Sequence, residues 1–378
     1  MTKHYVVIGA GILGASTAFH LAQNKAKVTF IDRNDAGKAT NVAAGIISPW
    51  LSQRRNKAWY FLAQHGAAYY PQLVEKLAEL GESDVGYEQV GALHIHQEEQ
   101  RIEQILKLAE KRKIEAPEIG ETKKLTAQEI EQLFPYITEP MYAAYASGGA
   151  RVDGRKLTEA MKNAAIKLGA VYIEGDASLQ VANGRVIGVA VNDTVIDANE
   201  IIVTTGAWGN ETLRPLQIDM QVKPQKAQIL ELQLKDKKTE HWPVVMAPST
   251  LYMLAFEAGR MMVGTTHEDD KGFDARPTVG AAYEILEKAF QLAPTLQDEM
   301  LSAIKVGFRP VVPNALPVIG RLPSTPNVLV ANGLGSSGLT AGPYLGKELA
   351  ALAQGLQTEI DVENYCLANV IKESDKAN

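Results

Sequence analysis

The sequence predicts a two-lobed α/β protein: a parallel sheet wrapped by helices, into which an α+β domain on an antiparallel sheet is inserted. Three observations predict it. The chain opens on a short apolar strand pattern, "HYVVI", that runs at once into a glycine turn and an alanine-rich helix pattern. A second strand–glycine loop–helix pattern, "NVLVANGLGSSGLTAGPYLGKELAAL" over 327–352, stands near the other end of the chain. Between them "QKAQILELQL" (225–234) and "TLYMLAFEAGRMMVGTT" (250–266) read as strands, the second with a turn at Glu257-Ala258-Gly259.

Composition bounds the function. At 378 residues the chain is too long for one small core and suits two lobes. A net charge of −6 offers no bulk attraction to nucleic acid. Cys366 is the single cysteine, so no internal disulfide can form and a reducing compartment fits. No apolar run nears the roughly 18 residues of a membrane span. The first apolar stretch is interrupted by the glycines of the turn, which argues against a signal peptide. These features predict a cytoplasmic protein with no membrane span and no nucleic-acid partner; homo-oligomerisation stays open.

The opening unit is a full strand–turn–helix–strand. Gly9, Gly11 and Gly14 follow the first strand, residues 12–23 read as a helix with Ala15, Ala18 and Ala22 on one face, and "KVTFI" (27–31) is a second strand ending at Asp32. One glycine makes the tight turn, one lets backbone approach a pyrophosphate, and one lets helix and strand pack closely. The helix N-terminus offers free N–H groups to phosphate. Asp32 suits a ribose diol and would repel a 2′-phosphate. A purely structural glycine turn is the competing reading, and the surrounding strands and helix argue against it.

That unit does not separate NAD from FAD. Two stretches lean towards FAD. "KATNVAAGIISPW" (38–50) is small, polar and glycine-containing, so the chain stays beside the cofactor instead of entering an ordinary helix and third strand. In the C-terminal unit, Gly333-Leu334-Gly335-Ser336-Ser337-Gly338 brings a second helix N-terminus towards the site. A flavin ring gathers negative charge on reduction and suits such a terminus, although an ordinary helix cap would look similar.

The remaining elements follow in order. Residues 53–80 suggest a helix broken near Pro71, "GALHIH" (91–96) alternates like a strand, and 98–113 is a charged amphipathic helix. Thr126 and Glu129 form a capping box for a helix stopped by Pro135. A helix is expected at 155–168, then short strands over 171–204 with a turn at Asn183-Gly184. The expected division is a discontinuous FAD-binding domain over 1–85, 142–215 and 306–378, with a substrate-binding domain over 86–141 and 216–305.

Arg309, in "GFRPVV", sits among apolar and proline neighbours, where a planar guanidinium is suited to hold a carboxylate. A structural arginine is the plainer alternative. Tyr252 alone reads as a buried strand aromatic. His94 and His96 share a strand face, but no third metal ligand is evident, so no metal is expected.

These motifs together resemble the D-amino-acid oxidase family of flavoproteins, in its glycine oxidase and D-amino-acid dehydrogenase branch. The likeness rests on the N-terminal glycines with Asp32, "AAGIISP", "GGARVDGRKL", "IIVTTGAWG", "GRMMVGTTHED", "GFRPVVPNALPVIG" and the C-terminal loop. It implies FAD, held without a covalent bond, with its adenosine at Asp32 and its ring between the lobes. Expected cofactor contacts at the first unit are Gly9, Gly11, Ile12, Leu13, Gly14, Asp32 and Arg33. Thr40, Ala43, Ala44, Gly45 and Ile46 follow, then Ala177, Thr205, Gly206 and Trp208. Gly335, Ser336, Ser337, Gly338, Leu339 and Thr340 complete the set. The resemblance gives the substrate carboxylate to Arg309, assisted by Tyr252, and places His267 at the pocket wall or on a solvated loop. One departure matters: Ser336 and Ser337 stand where glycine oxidases commonly carry an arginine.

The implied reaction is oxidative deamination of glycine, a small D-amino acid or an N-substituted glycine, by hydride transfer to flavin and hydrolysis of the imine. The partners are then a small amino-acid substrate and oxygen or another electron acceptor. A dehydrogenase feeding a quinone or other carrier, an NAD-linked dehydrogenase and a non-catalytic redox sensor are the rival readings.

Overall fold

A computed structural model describes residues 3–182 and 185–373; the turn expected at Asn183-Gly184 lies outside the described residues. The first sheet has six strands in the order Val318–Arg321, Val328–Asn332, Glu200–Val203, His4–Ile8, Lys27–Asp32 and Val171–Glu174. All neighbours run parallel except the first pair. Val6, Val7, Ile201, Ile202 and Val203 are buried on both faces of it, as a helix-covered parallel sheet requires. Helix Ile12–Gln23 packs against helices Gly154–Lys167 and Gly338–Gln354. Small residues make the approach close: a Cβ on Gly346 would lie 2.5 Å from that of Ser16.

Register decides where the site lies. Ile8 pairs with Val203, and Val203 with Val330. The turns after Ile8, Val203 and Asn332 therefore leave the sheet together, at the carboxyl edge where open α/β sheets bind ligands.

The second sheet has eight strands: Met300–Val311, Lys223–Gln233, Arg260–Gly264, Tyr252–Ala255, Val244–Met246, Ala92–His96, Tyr142–Ala146 and Thr122–Leu125. Only Val244–Met246 and Ala92–His96 pair in parallel. One face is covered by helices Ala127–Leu133 and Val279–Phe290, with Leu93, Leu230, Met253, Val263, Ile130 and Ile285 in a common core. Side chains alternate along a strand. His94, Met246, Tyr252, Gly264 and Ile229 are register partners in one row across the sheet, and they take the other face. The sheet includes Tyr142–Ala146 and the whole of Met300–Val311, so it draws on chain from both sides of the boundaries expected at 142 and 306.

Two local readings change. Lys57–Glu79 is one helix with Pro71 inside it, not two. It begins at Asn56, whose side chain accepts from the Trp59 amide at 2.9 Å. Tertiary contacts on either side of Pro71 outweigh the lost backbone bond. Tyr69 bonds His20 at 2.6 Å, Tyr70 donates to the Leu339 carbonyl, and Leu73 and Leu77 are fully buried. In the C-terminal loop, a 3-10 turn over Gly335–Ser337 precedes the helix. The capping box at Thr126 and Glu129 forms.

A backbone bond ties the two sheets near the site: Phe308 N donates to the Gly37 carbonyl at 2.9 Å. Gly37 has φ +81°, and a Cβ there would lie 2.3 Å from the Phe308 ring. Among the described residues, no helix is long and apolar enough to cross a membrane.

Candidate active site

The carboxyl edge of the parallel sheet faces the open face of the eight-stranded sheet across a cavity of about 1220 Å³. Every residue assigned to cofactor or substrate from the sequence lines this cavity except Gly14. Gly14 serves packing instead: a Cβ on it would lie 1.7 Å from the Gly9 carbonyl oxygen and 2.5 Å from Thr204 Oγ1.

At one end is Asp32, nine-tenths buried. The Ala10 amide, inside the glycine turn, donates to its Oδ2 at 2.5 Å, and Lys38 forms an ion pair with Oδ1. Gly9 needs its φ of +93° to make that turn. Arg33 is committed elsewhere. Its guanidinium binds Asp35 at 2.6 Å, Asp176 at 3.0 Å and Glu211 at 2.7 Å, which builds the wall around Asp32 and leaves Arg33 no free fork for a phosphate. Thr40 Oγ1 accepts from the Ile12 amide at 3.1 Å, and Thr340 Oγ1 donates to the Ile46 carbonyl at 3.1 Å. These bonds fix the 38–50 stretch along the cavity. Gly45 (φ +87°) lies so close to Val152 that a Cβ would meet the Val152 carbonyl oxygen at 1.8 Å.

The middle of the cavity has the form of a cradle. A Cβ added to Gly206, Gly335 or Gly338 would meet no protein atom within 4 Å. Helices Ile12–Gln23 and Gly338–Gln354 both start here, and neither N-cap, Gly11 or Ser337, carries a side-chain cap. At the first helix Thr40 takes the Ile12 amide; the other N–H groups of the two helix starts suit an anionic group at each. Thr205 Oγ1 accepts from Thr212 at 3.0 Å, and Trp208 stacks on Phe273 with ring centroids 5.0 Å apart. Ser337 accepts from the Trp59 indole at 2.8 Å, and the Arg54 guanidinium lies 4.6 Å from the centre of that indole. A group with a diol at one end, phosphates along the glycine turn and an aromatic ring towards the second sheet fits these residues.

At the far end, Arg309 reaches Thr265 Oγ1 at 3.2 Å, and Gln225 Oε1 and the Thr266 carbonyl at 3.4 Å. None of these acceptors is a carboxylate. Burial lowers the guanidinium's hold on its proton, and the neighbouring Tyr252 partly offsets this. Burial also pushes the Tyr252 hydroxyl up to about 12, so it stays a neutral donor. His267 is exposed at the cavity edge. Its pKa is lowered by burial of the ring face and by Arg309.

Sequence reasoning passed over Lys38, Arg54, His94 and Met246 as lining residues. Lys38 opens the 38–50 stretch expected beside the cofactor, but nothing in the sequence marked it as the partner of Asp32. His94 was visible as one of a strand-face pair, but which sheet face it occupies depends on pairing that only the fold supplies. His96 Nδ1 accepts from the Glu98 amide at 2.9 Å. Among the described residues, no group of three or more His, Cys, Asp or Glu is placed to hold a metal ion.

Residues 4–352 match the family model described as FAD dependent oxidoreductase (DAO). The chain is 50% identical over 364 residues to the uncharacterised oxidoreductase YurR of Bacillus subtilis (strain 168), covering 96% of this chain and 98% of that one. It is 27% identical to the glycine oxidase of Pseudomonas putida, covering 97% of this chain and 98% of the other. The crystal structure of iminodiacetate oxidase from Chelativorans sp. BNC1 superposes with a TM-score of 0.92 at 41% identity, over 96% of this chain and 98% of that one. With the fold, the cradle and these matches in agreement, the chain belongs to the D-amino-acid oxidase (DAO) family of FAD-dependent oxidoreductases.

Proposed function

We propose that this enzyme oxidises the C–N bond of glycine, a small D-amino acid or an N-substituted glycine. The products are a 2-oxo acid and ammonia or an amine, and oxygen is the electron acceptor. The observation that carries the reading is Arg309, a guanidinium at the cavity wall with only neutral acceptors around it. A carboxylate fills that vacancy with two charge-assisted hydrogen bonds, and Tyr252 adds a neutral donor beside it.

Bound FAD supplies the acceptor for a hydride. In this reading Asp32 and Lys38 hold the ribose end, the turn Gly9–Gly11 and the starts of the two helices hold the phosphates, and Gly335–Gly338 supports the ring. Arg309 and Tyr252 fix the substrate so that its Cα–H points one way. Glycine has no side chain to grip, so its carboxylate gives most of its orientation. No side chain need act as a base when the amine arrives neutral. Glu268 supports this: its Oε1 accepts from Gln228 and Thr266, each at 2.7 Å, and it does not line the cavity. The relatives named above act on glycine and on iminodiacetate by their names, which fits a small amino acid with a free carboxylate.

The test is an anaerobic panel of amino acids, read by loss of the flavin absorption band, followed by admission of oxygen and assay of peroxide. Bleaching by glycine, sarcosine, iminodiacetate or a small D-amino acid, with peroxide afterwards, is the expected result. Bleaching without peroxide selects a dehydrogenase using another carrier. No bleaching by any member overturns the proposal.

A further inference from the structure

The amino-acid reading commits Arg309 and leaves a second arginine of the same cavity without a task. Arg54 lines the cavity with its side chain open to solvent, so a ligand can reach it. Its guanidinium lies over the Trp59 indole, 4.6 Å from the ring centre, and has no carboxylate partner among the described residues. A guanidinium over an aromatic face keeps its N–H groups, which lie in its own plane, free for an anion. Partial burial lowers its hold on its proton, and no neighbouring carboxylate offsets this.

The loop that carries Arg54 is fixed at both ends. Arg112 donates to the Trp50 and Ser52 carbonyls at 2.5 and 2.6 Å. Asn56 caps the following helix by accepting from the Trp59 amide. The Trp59 indole in turn donates to Ser337 Oγ at 2.8 Å. Gly335–Ser337 packs against strand Met300–Val311, which carries Arg309. The approach is at the Arg309 end of that strand, because a Cβ on Gly333 would lie 2.6 Å from the Val312 side chain. One short loop therefore touches both the strand of Arg309 and the indole beneath Arg54.

Charge around the cavity is divided. The lining acids Asp32, Asp35, Asp176 and Glu211 gather at the ribose end, where Arg33 and Lys38 pair with them. The rest of the lining holds Arg54, Arg101 and Arg309 and no acid. Arg101 has Glu98 at 3.6 Å, which leaves Arg54 and Arg309 without a carboxylate. A substrate with one carboxylate answers only one of them.

Resting on the amino-acid reading, we propose that Arg54 is a second anion-binding residue of the substrate site, and that the preferred substrate is an amino acid of net negative charge whose additional carboxylate, on the nitrogen substituent or the side chain, Arg54 receives at the cavity mouth. The long, flexible stem lets the guanidinium leave the indole for the ligand, which exchanges a cation–π contact for a charge-assisted hydrogen bond. Arg309 and Tyr252 keep the α-carboxylate, so Arg54 sets specificity and takes no part in hydride transfer. Its charge also draws an anionic substrate towards the mouth, an attraction that salt screens.

The experiment uses two pairs of compounds that differ by one carboxylate: iminodiacetate with sarcosine, and D-aspartate with D-alanine. Steady-state kinetics at low and high salt are measured on holoenzyme of wild type, Arg54→Gln and Arg54→Lys. In at least one pair, wild type should favour the dicarboxylate by about tenfold or more in kcat/KM. The pair that shows it tells whether the second carboxylate sits on the nitrogen or on the side chain. In Arg54→Gln that ratio should fall by about tenfold, mainly through KM, and Arg54→Lys, which keeps the charge without the fork, should recover part of it. Salt should lower the ratio in wild type and leave it unchanged in Arg54→Gln, a difference that a merely structural arginine would not produce. Flavin content should match in all three proteins. If both members of each pair are oxidised equally well, if Arg54→Gln lowers them alike, or if it loses FAD, the second anion site is overturned while the amino-acid reading stands. If wild type neither binds nor oxidises any of the four compounds, the amino-acid reading falls too.

Discussion

In the proposed reading Asp32 serves the cofactor and Arg309 the substrate, and each assignment can be tested alone. Asp32→Ala removes a charge-assisted acceptor worth roughly 1.5–3 kcal/mol, so FAD should bind about tenfold to a hundredfold more weakly. Because Asp32 also anchors the Ala10 amide and Lys38, Asp32→Asn is the better control: it keeps the side chain's shape and loses only the charge. The measurement is flavin per protein after purification, then FAD titration of the apoprotein. Equal affinity in all three proteins would remove Asp32 from the ribose site. For Arg309 the expectation is reversed. Arg309→Ala should keep its FAD and lose at least about 3 kcal/mol of transition-state binding, seen as a fall in kcat/KM for the amino acid. Arg309→Lys keeps the charge without the fork and should already be impaired. Unchanged kcat/KM in Arg309→Ala would show that the carboxylate binds elsewhere.

At the scale of elements, the strand–turn–helix units explain why so much was legible. Gly9, Gly11 and Asp32 follow from local geometry alone, because a tight turn, a close approach and a strand end leave fingerprints within one stretch of chain. Gly14 shows the limit of that reading. The motif marks it, but its use is to seat the first helix on the turn rather than to touch a ligand. Gly14→Ala should therefore fail by displacing that helix, with low soluble yield and a lowered melting temperature even in excess FAD, because the new Cβ would lie 1.7 Å from the Gly9 carbonyl oxygen. A normal melting temperature with weak FAD binding would instead make Gly14 a direct contact. What the sequence hid depends on partners far along the chain. Pro71 reads as a break, yet the helix continues through it, with Tyr69 and Tyr70 reaching His20 and Leu339. Arg33 reads as a cofactor contact and does line the cavity, but the partners that orient its guanidinium, Asp176 and Glu211, lie more than a hundred residues away in sequence. Tyr142–Ala146 has strand character, but its membership of the eight-stranded sheet rests on pairing with Ala92–His96 and Thr122–Leu125.

For the molecule as a whole, acid should be destabilising in part through buried histidines. His20 sits in the main core. Its Nδ1–H donates to the Ser16 carbonyl at 2.7 Å, and its Nε2 accepts from the Tyr69 hydroxyl at 2.6 Å, an arrangement that suits the neutral ring. Burial lowers its pKa from 6.5 to about 4. The unfolded chain therefore takes up the proton first. The stabilisation is complete above pH 6.5 and is lost as pH falls from 6.5 towards 4, by roughly 3 kcal/mol in total. His94 contributes with the same sign. Thermal unfolding of wild type should fall steeply across that window, and His20→Gln, which has no proton to gain, should show a shallower slope. An identical slope would mean that His20 is already protonated or is not buried. FAD should leave the denatured protein: Cys366 is the single cysteine and does not line the cavity, so acid precipitation should put the yellow colour in the supernatant. Colour kept in the pellet would show a covalent link.

The bond from Phe308 to Gly37 joins the residue before Arg309 to the residue before Lys38. The proposed anchor for the substrate and the partner of Asp32 are thus one backbone step from the same link. Two ligands that each order a shared piece of chain assist one another, and by reciprocity they do so by the same factor. Saturating acetate, as a mimic of the carboxylate alone, should tighten FAD binding to the apoprotein, and FAD should tighten acetate binding equally. A cell short of substrate would then hold this enzyme with a looser grip on its own cofactor.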